Sequence, residues 1–328
     1  MLAGGDLVPF TANAFVMGEF HGPGVKESVY RPTWHDRERL DFTIEYAQAM
    51  ASLRGPGHRL SLSTVPGSFK LFDEGPGAVH AMAVALATAA KRLRGLEDSA
   101  GTRVVLGLEP EPLCTLETVE EVIGFFRGPL RNAFGRERAA LHHLGVCYDV
   151  CHQAVEGEDP VDALARLAQA DIPVVKVQAS SALEIPDPSD PAARAALARF
   201  AEPRWLHQVV CDMGAGGHQR AADLPVALEG PDAERWAASG HPWRVHFHVP
   251  VHREEAVPPL KTTRADLERA LVAIAEGGVT EHLEIETYTW DALPAEARAD
   301  SLVESLAREY EWVLSVLLAA GCRRADAS

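Results

Sequence analysis

The chain has 328 residues, 47% of them apolar and 24% charged, enough to bury a sizeable core in one large α/β domain or two smaller ones. With 31 Lys and Arg against 47 Asp and Glu, the net charge is −16, a field that repels phosphate backbones and anionic membrane surfaces. Lysines and arginines are scattered without a basic stripe, so nucleic acid is not expected as a partner. No stretch of about 18 apolar residues is present, so no transmembrane helix is expected. The start, MLAGGDLVPFTANAF, lacks a charged leader followed by a long apolar run, so no signal peptide is expected. Five cysteines without regular pairing (Cys114, Cys147, Cys151, Cys211 and Cys322) suggest a reducing compartment, and with no targeting signal read in the sequence a cytoplasmic location is expected.

In chain order, strand-like segments fall at 7–15, 59–65, 103–109, 144–149, 174–180, 206–211, 244–250 and 282–288. Helix-like segments lie between them at 36–53, 76–95, 116–127, 160–170, 191–201, 263–276 and 297–319, with Asp36, Thr115 and Thr263 as expected N-caps. Eight strands alternating with helices predict a (β/α)₈ TIM barrel spanning 1–328 as a single domain. An open doubly wound sheet is the competitor, but FTANAFVMG after the first strand has no G-x-G-x-x-G and no Walker sequence. The Gly-, Ala- and Pro-rich stretch 212–242 is expected to be an insertion or lid within the barrel. The tail after Gly321 is expected to fray.

Several apolar runs end in residues that bind metals or move protons. VVLGLEPEP ends in Glu109 and Glu111, two apart and followed by prolines that break the ladder at a barrel rim. CYDVCH places Asp149 at a strand end and His152 one turn on, with Cys147 and Cys151 expected as core packing beside them. QASS offers Gln178, Ser180 and Ser181, better suited to bonding a hydroxylated ligand than to a metal. VHFHVP puts His246 and His248 on one strand face, with His248 nearer the rim. HLEIETYTW repeats this with Glu284 deeper and Glu286 nearer the rim, and with Tyr288 and Trp290 as an aromatic wall. Two Glu, one Asp and one His suit Mn²⁺, Zn²⁺, Mg²⁺ or Co²⁺, and ligand type alone does not choose among them. Such a site would polarise a carbonyl while carboxylates move protons between carbons. There is no G-x-S-x-G and no H-E-x-x-H, and Cys151 beside His152 is a poor nucleophile–base pair because adjacent residues rarely face each other.

Taken together, LSTVPGSF (62–69), LEPEPLC (108–114), GVCYDVCHQAVEGEDP (145–160), VQASSAL (177–183), LHQVV (206–210), HFHVPV (246–251), LEIETYTWDALP (283–294) and REYEWVL (308–314) resemble the EboE family, labelled metabolite traffic proteins. The resemblance covers essentially the whole chain. It implies a xylose-isomerase-like TIM barrel, akin to sugar isomerases, epimerases and endonuclease IV. It also implies metal ligands at Glu109, Asp149, His248 and Glu286, with His152 facing substrate or a second metal. Gln178 stands where a relative would have His, and His207 and His246 compete with His248 for the role. Family members carry further βα units before the FTANAF-like strand, so the chain is expected to lack an N-terminal βα segment.

The leading functional expectation is a metal-dependent isomerase or epimerase for a sugar- or cyclitol-like metabolite, associated with other Ebo pathway proteins in secondary metabolism. In that reading Glu109, Glu286 and His152 are catalytic, while Glu111, Gln178, His246, Tyr288 and Trp290 bind substrate. The alternative is a non-catalytic binding or traffic module on the same barrel. A phosphodiesterase acting on DNA conflicts with the −16 charge.

Overall fold

The computed structural model describes residues 8–324 apart from 19, 23, 73, 76, 299 and 300. Position 7 of the first expected strand, position 76 of the second helix, positions 299 and 300 of the last helix and the end of the tail lie outside the described residues. Six strands pair in parallel: β1 (Thr11–Asn13), β2 (Arg59–Thr64), β3 (Arg103–Leu108), β4 (Leu144–Asp149), β5 (Val174–Ala179) and β11 (Leu283–Ile285), in the order β1-β2-β3-β4-β5-β11. The sheet curls into a nearly closed barrel. Next to β11, His282 reaches Ser61 Oγ on β2 at 2.7 Å and packs edge-on against Phe10 beside β1.

Register assigns the two faces. Leu60 pairs with Val104, Leu62 with Leu106 and Leu106 with Leu144, all buried in the main apolar cluster beneath helices such as Arg37–Arg54 and Ala78–Ala100. The opposite face lines the lumen and is polar. It carries Ser61, Ser63, Cys147, Lys176, Gln178 and Glu284, with Lys176 Nζ paired to Glu284 Oε1 at 2.5 Å across neighbouring strands. A barrel this narrow leaves little room between inner side chains. At Gly107 a Cβ would sit 2.7 Å from Cys147 N, and at Gly145 it would sit 2.3 Å from Pro173 O.

Among the described residues the barrel has six parallel strands rather than the expected eight, because β5 runs into β6 (Leu183–Ile185) after three residues. That is too short for a parallel crossover, which needs a dozen or more. The chain therefore leaves the barrel and builds a second, antiparallel sheet in the order β10-β6-β9-β7-β8. Its other strands are β7 (Val209–Asp212), β8 (His218–Ala221), β9 (Trp243–Val245) and β10 (Lys261–Thr262). The expected barrel strands 206–211 and 244–250 thus belong to this sheet, with Val209 opposite Val245. The second sheet has its own apolar cluster, including Leu183, Phe200, Trp236, Trp243 and Phe247. The stretch 212–242, expected as an insertion or lid, forms the β7–β8 hairpin turn, β8 and the helices Leu224–Glu229 and Ala233–Ala237 of this unit.

Helix starts correct the expected caps. The third helix begins at Val119, capped by Thr118 with Glu121 in a reciprocal box, rather than by Thr115. Asp36 and Thr263 occupy N-cap positions, but their side chains accept from Thr33 N at 2.7 Å and Ala182 N at 2.8 Å instead of from their helices. Among the described residues, no helix is long and apolar enough to cross a membrane.

Gly145→Ala should cost about 1–3 kcal/mol in urea unfolding, because the added methyl meets backbone on the neighbouring connection. Gly95→Ala, in the middle of Ala78–Ala100 with nothing within 4 Å, should instead be neutral or stabilising. Equal effects at the two positions would contradict the tight lumen.

Candidate metal centre

Five segments deliver side chains to the C-terminal rim of the barrel. Glu109 follows β3, and its backbone N–H still bonds Thr64 O at 3.1 Å, so the side chain keeps the lumen-facing register before Pro110 ends the ladder. Asp149 closes β4 and caps the helix Val150–Val155, accepting His152 N–H at 2.8 Å on Oδ1; this cap sets His152 one turn further on. Ser180 Oγ donates to the same oxygen at 2.9 Å. Glu286 follows β11, its N–H held by Ala179 O at 3.1 Å. His246 and His248 arrive differently from the expectation. β9 ends at Val245, and the next residues are drawn across the barrel mouth by His246 N–H to Gln208 O at 2.8 Å and Val249 N–H to Ser181 O at 2.9 Å.

The structure brings the four expected ligands to one buried region, each with an unused atom. Glu109 Oε2, Asp149 Oδ2, His248 Nε2 and Glu286 Oε2 are buried without a hydrogen-bond partner. An unpaired buried polar atom costs about 1–3 kcal/mol, more when charged, so these atoms call for partners, although Glu286 falls in none of the close ligand groups. Three overlapping groups have ligand atoms within 4.8 Å of one another: Glu109–Asp149–His152, Asp149–Cys151–His248 and His152–His246–His248. These buried clusters could hold a metal ion.

Hydrogen-bond accounting sharpens the histidine group. His152 Nδ1 lies 3.1 Å from Pro110 O and His248 Nδ1 lies 3.0 Å from Glu286 O; carbonyls only accept, so both Nδ1 atoms carry the proton. Gln208 Nε2 donates to Pro112 O at 3.2 Å and Tyr30 Oη at 2.7 Å, which turns its Oε1 toward His246 Nδ1 at 2.8 Å. His246 therefore also carries its proton on Nδ1. All three Nε2 atoms are left as lone pairs, and those of His152 and His246 face each other at 3.0 Å. Two facing lone pairs repel unless a cation sits between them. With metal–nitrogen bonds of about 2.0–2.1 Å, imidazole nitrogens at adjacent coordination positions stand about 3 Å apart. A proton is a poor substitute here, because burial drives His152 down to about 4 and His246 well below the usual imidazole range.

The carboxyl groups are under matching stress. Burial, then the charge of Asp149, pushes Glu109 well above the usual range; burial, Glu109 and Asp149 do the same to Glu286. Burial also pushes Glu111 up to about 8, partly offset by the Tyr30 hydroxyl, which donates to Glu111 Oε1 at 2.5 Å.

Above the rim lies a narrow cleft, in which the centres of water-sized molecules have about 60 Å³ to occupy. Glu109, Glu111, His152, His246, Glu286 and Tyr288 line it, as do Asn13, Phe20, Lys26, Tyr30 and Trp205, none of which the sequence singled out. No residue of 212–242 lines this cleft; its cover is the segment bearing Phe20 and Lys26. Lys26 Nζ donates to Glu202 O, Trp205 O and Asp223 Oδ2 at 3.1, 2.7 and 2.6 Å, and Trp205 Nε1–H donates to Phe20 O at 3.0 Å. Phe20, Trp205 and Tyr288 meet at ring distances of 5.2–5.3 Å. Trp290 does not join this wall; it packs beside the second sheet's cluster with Arg298 over its ring. Gln178 sits below the cleft in the lumen, its Oε1 accepting from Cys147 Sγ at 3.0 Å. His207 is no ligand candidate, since Nε2 contacts Glu202 Oε1 and Nδ1 contacts His246 O, each at 3.0 Å.

Comparison with known protein families finds no match to this chain, and comparison with curated proteins finds none either.

Two outcomes are expected. Gln208→Leu removes the acceptor that fixes the His246 tautomer and should weaken divalent-metal affinity about 10–100-fold, read by competition with a chelating dye. Glu111 has a folded pKa above its usual value of 4.5, as do Glu109 and Glu286, so the folded state binds more protons than the unfolded one across this range. His152 and His246, held low, act in the opposite sense up to about pH 6.5, so metal-free protein should lose thermal stability as pH rises from about 6.5 to about 8, and added metal should flatten that slope.

Proposed function

We propose that this chain is a divalent-metal-dependent isomerase or epimerase for a small sugar- or cyclitol-like metabolite, related to the EboE proteins of a precursor pathway. The observation that carries the reading is the set of buried acceptors without partners: Glu109, Asp149, His248 and Glu286. The facing nitrogens of His152 and His246 argue for a second position beside the first. Three imidazoles in the set favour Zn²⁺, Mn²⁺ or Co²⁺ over Mg²⁺, which prefers oxygen ligands and retains water. A cation held there supplies Lewis-acid polarisation of a carbonyl, which acidifies the neighbouring C–H. The chain's own part is proton transfer and orientation. Glu109, Glu111 and Glu286 line the cleft and can take a proton from one carbon and return it to the next. Tyr30 and Gln208 hold Glu111 and His246 in place, and Phe20, Trp205 and Tyr288 shield the cleft from bulk water.

A second reading, a binding or traffic module without chemistry, draws on the narrowness of the cleft and its aromatic cover. Incubation with Mn²⁺ or Zn²⁺ and a panel of ketoses and inosose-type cyclitols in D₂O separates the two. Isomerase chemistry should place deuterium on carbon, and Glu286→Gln should slow that exchange about 10²–10⁴-fold. Protein that holds metal by elemental analysis and binds a panel member without exchange would support the carrier. Protein that takes up no divalent metal would overturn both forms of the metal site.

A further inference from the structure

At the opposite end of the barrel one short stretch of the chain, 127–142, presents several basic side chains together. The turns before β4 carry Arg127, Arg131 and Arg138, together with His142, around a concavity of about 600 Å³ floored by Phe126 and Leu141. This volume lies in the range of small-molecule sites, roughly 300–1,000 Å³. Among the described residues no carboxylate pairs with any of these four groups, although the chain carries 47 acids and a net charge of −16. Arg127 and Arg138 make only long bonds of 3.4 Å to the carbonyls of Gln169 and Gly135. Asp171 is the one acid in the lining. The backbone is also unusual here: Phe126–Leu130 forms a π-turn around Pro129, whose missing N–H and bulky ring disfavour regular α-helical bonding. Such turns are rare and recur at functional sites.

We infer that this concavity is an accessory binding site for a small phosphorylated ligand. Guanidinium forks match the several oxygens of a phosphoryl group, and an apolar floor suits a compact body attached to it. The −16 charge selects against larger polyanions. A nucleic acid or an anionic membrane would extend past the local patch into a repulsive field, whereas a ligand with one or two phosphoryl groups would not. The site stands apart from the metal centre, at the N-terminal rather than the C-terminal ends of the strands, and does not rest on the proposed chemistry.

The test is calorimetric titration of the full chain with inorganic pyrophosphate, alongside Arg131→Gln/Arg138→Gln. Both side chains are exposed, so the double variant should unfold at the same denaturant concentration and keep the same metal content. Pyrophosphate should bind, and the variant should weaken it at least about tenfold, as expected for lost hydrogen bonds to a charged group. Three results would overturn the inference: no binding at millimolar pyrophosphate; binding equal in both proteins but lost in Glu109→Gln, which would place the anion at the metal centre; or sedimentation with phosphatidylglycerol vesicles, which would identify a membrane partner instead.

Discussion

Acceptors that face acceptors in a water-poor space are the constraint around which this molecule is arranged. Ionised carboxylates and imidazole lone pairs both accept, and the packing that positions them leaves Glu109, His152, His246 and Glu286 only a narrow cleft as contact with water. Local bonds make the conflict worse rather than relieving it. Pro110 O, Glu286 O and Gln208 Oε1 each take the one proton that a neutral histidine could have offered. What remains is a cluster of acceptors placed by strand ends and backbone bonds, with the side chains of Ser180, Gln208 and Tyr30 fixing Asp149, His246 and Glu111.

The barrel makes this possible by splitting its strands into two unlike faces. Outward Leu and Val residues bind the helices and stabilise the sheet, while inward positions are mostly small or polar, with Val105 and Val175 among them. Gly107 and Gly145 allow the inner face to close up, and the Lys176–Glu284 pair fills the floor with a charge that is already neutralised. Ser63, Cys147 and Gln178 share that inner face below Glu109 and Asp149. The rim carboxyls therefore sit on strand ends, above a column in which Lys176 opposes, without cancelling, the rise that burial imposes on Glu109 and Glu286.

The parallel strands were legible because uninterrupted runs such as VVLGL and LGVCY have one reading, a strand covered on both sides. The Asp149–His152 pair was legible from its spacing at a strand end, where the aspartate acts as cap and places the histidine. The second sheet was written in the sequence too, but as a different period. In β9 the half-buried Arg244 sits between the buried Trp243 and Val245, the alternation of an antiparallel strand, unlike the unbroken runs of the barrel; the alternation continues past the strand, but there His246 and His248 are buried too. Thr118 with Glu121 was a visible capping box that Thr115 displaced in the reading. Tyr30, Gln208, Phe20 and Trp205 were not legible. They converge from segments nearly 180 residues apart, as in the Gln208–Tyr30 bond, and no local pattern marks them.

Residues 180–182, which join the barrel to the second sheet, are stapled on several sides. Thr263 Oγ1 accepts from Ala182 N–H, Ala182 O accepts from Thr263 N–H, and Ser181 O accepts from Val249 N–H. So short and so tied a joint fixes the start of the second sheet against the end of β5. On the other side of the cleft one ammonium, that of Lys26, ties its own segment to the loop bearing Glu202 and Trp205 and to Asp223, so a single charge holds three separate oxygens beside the cleft.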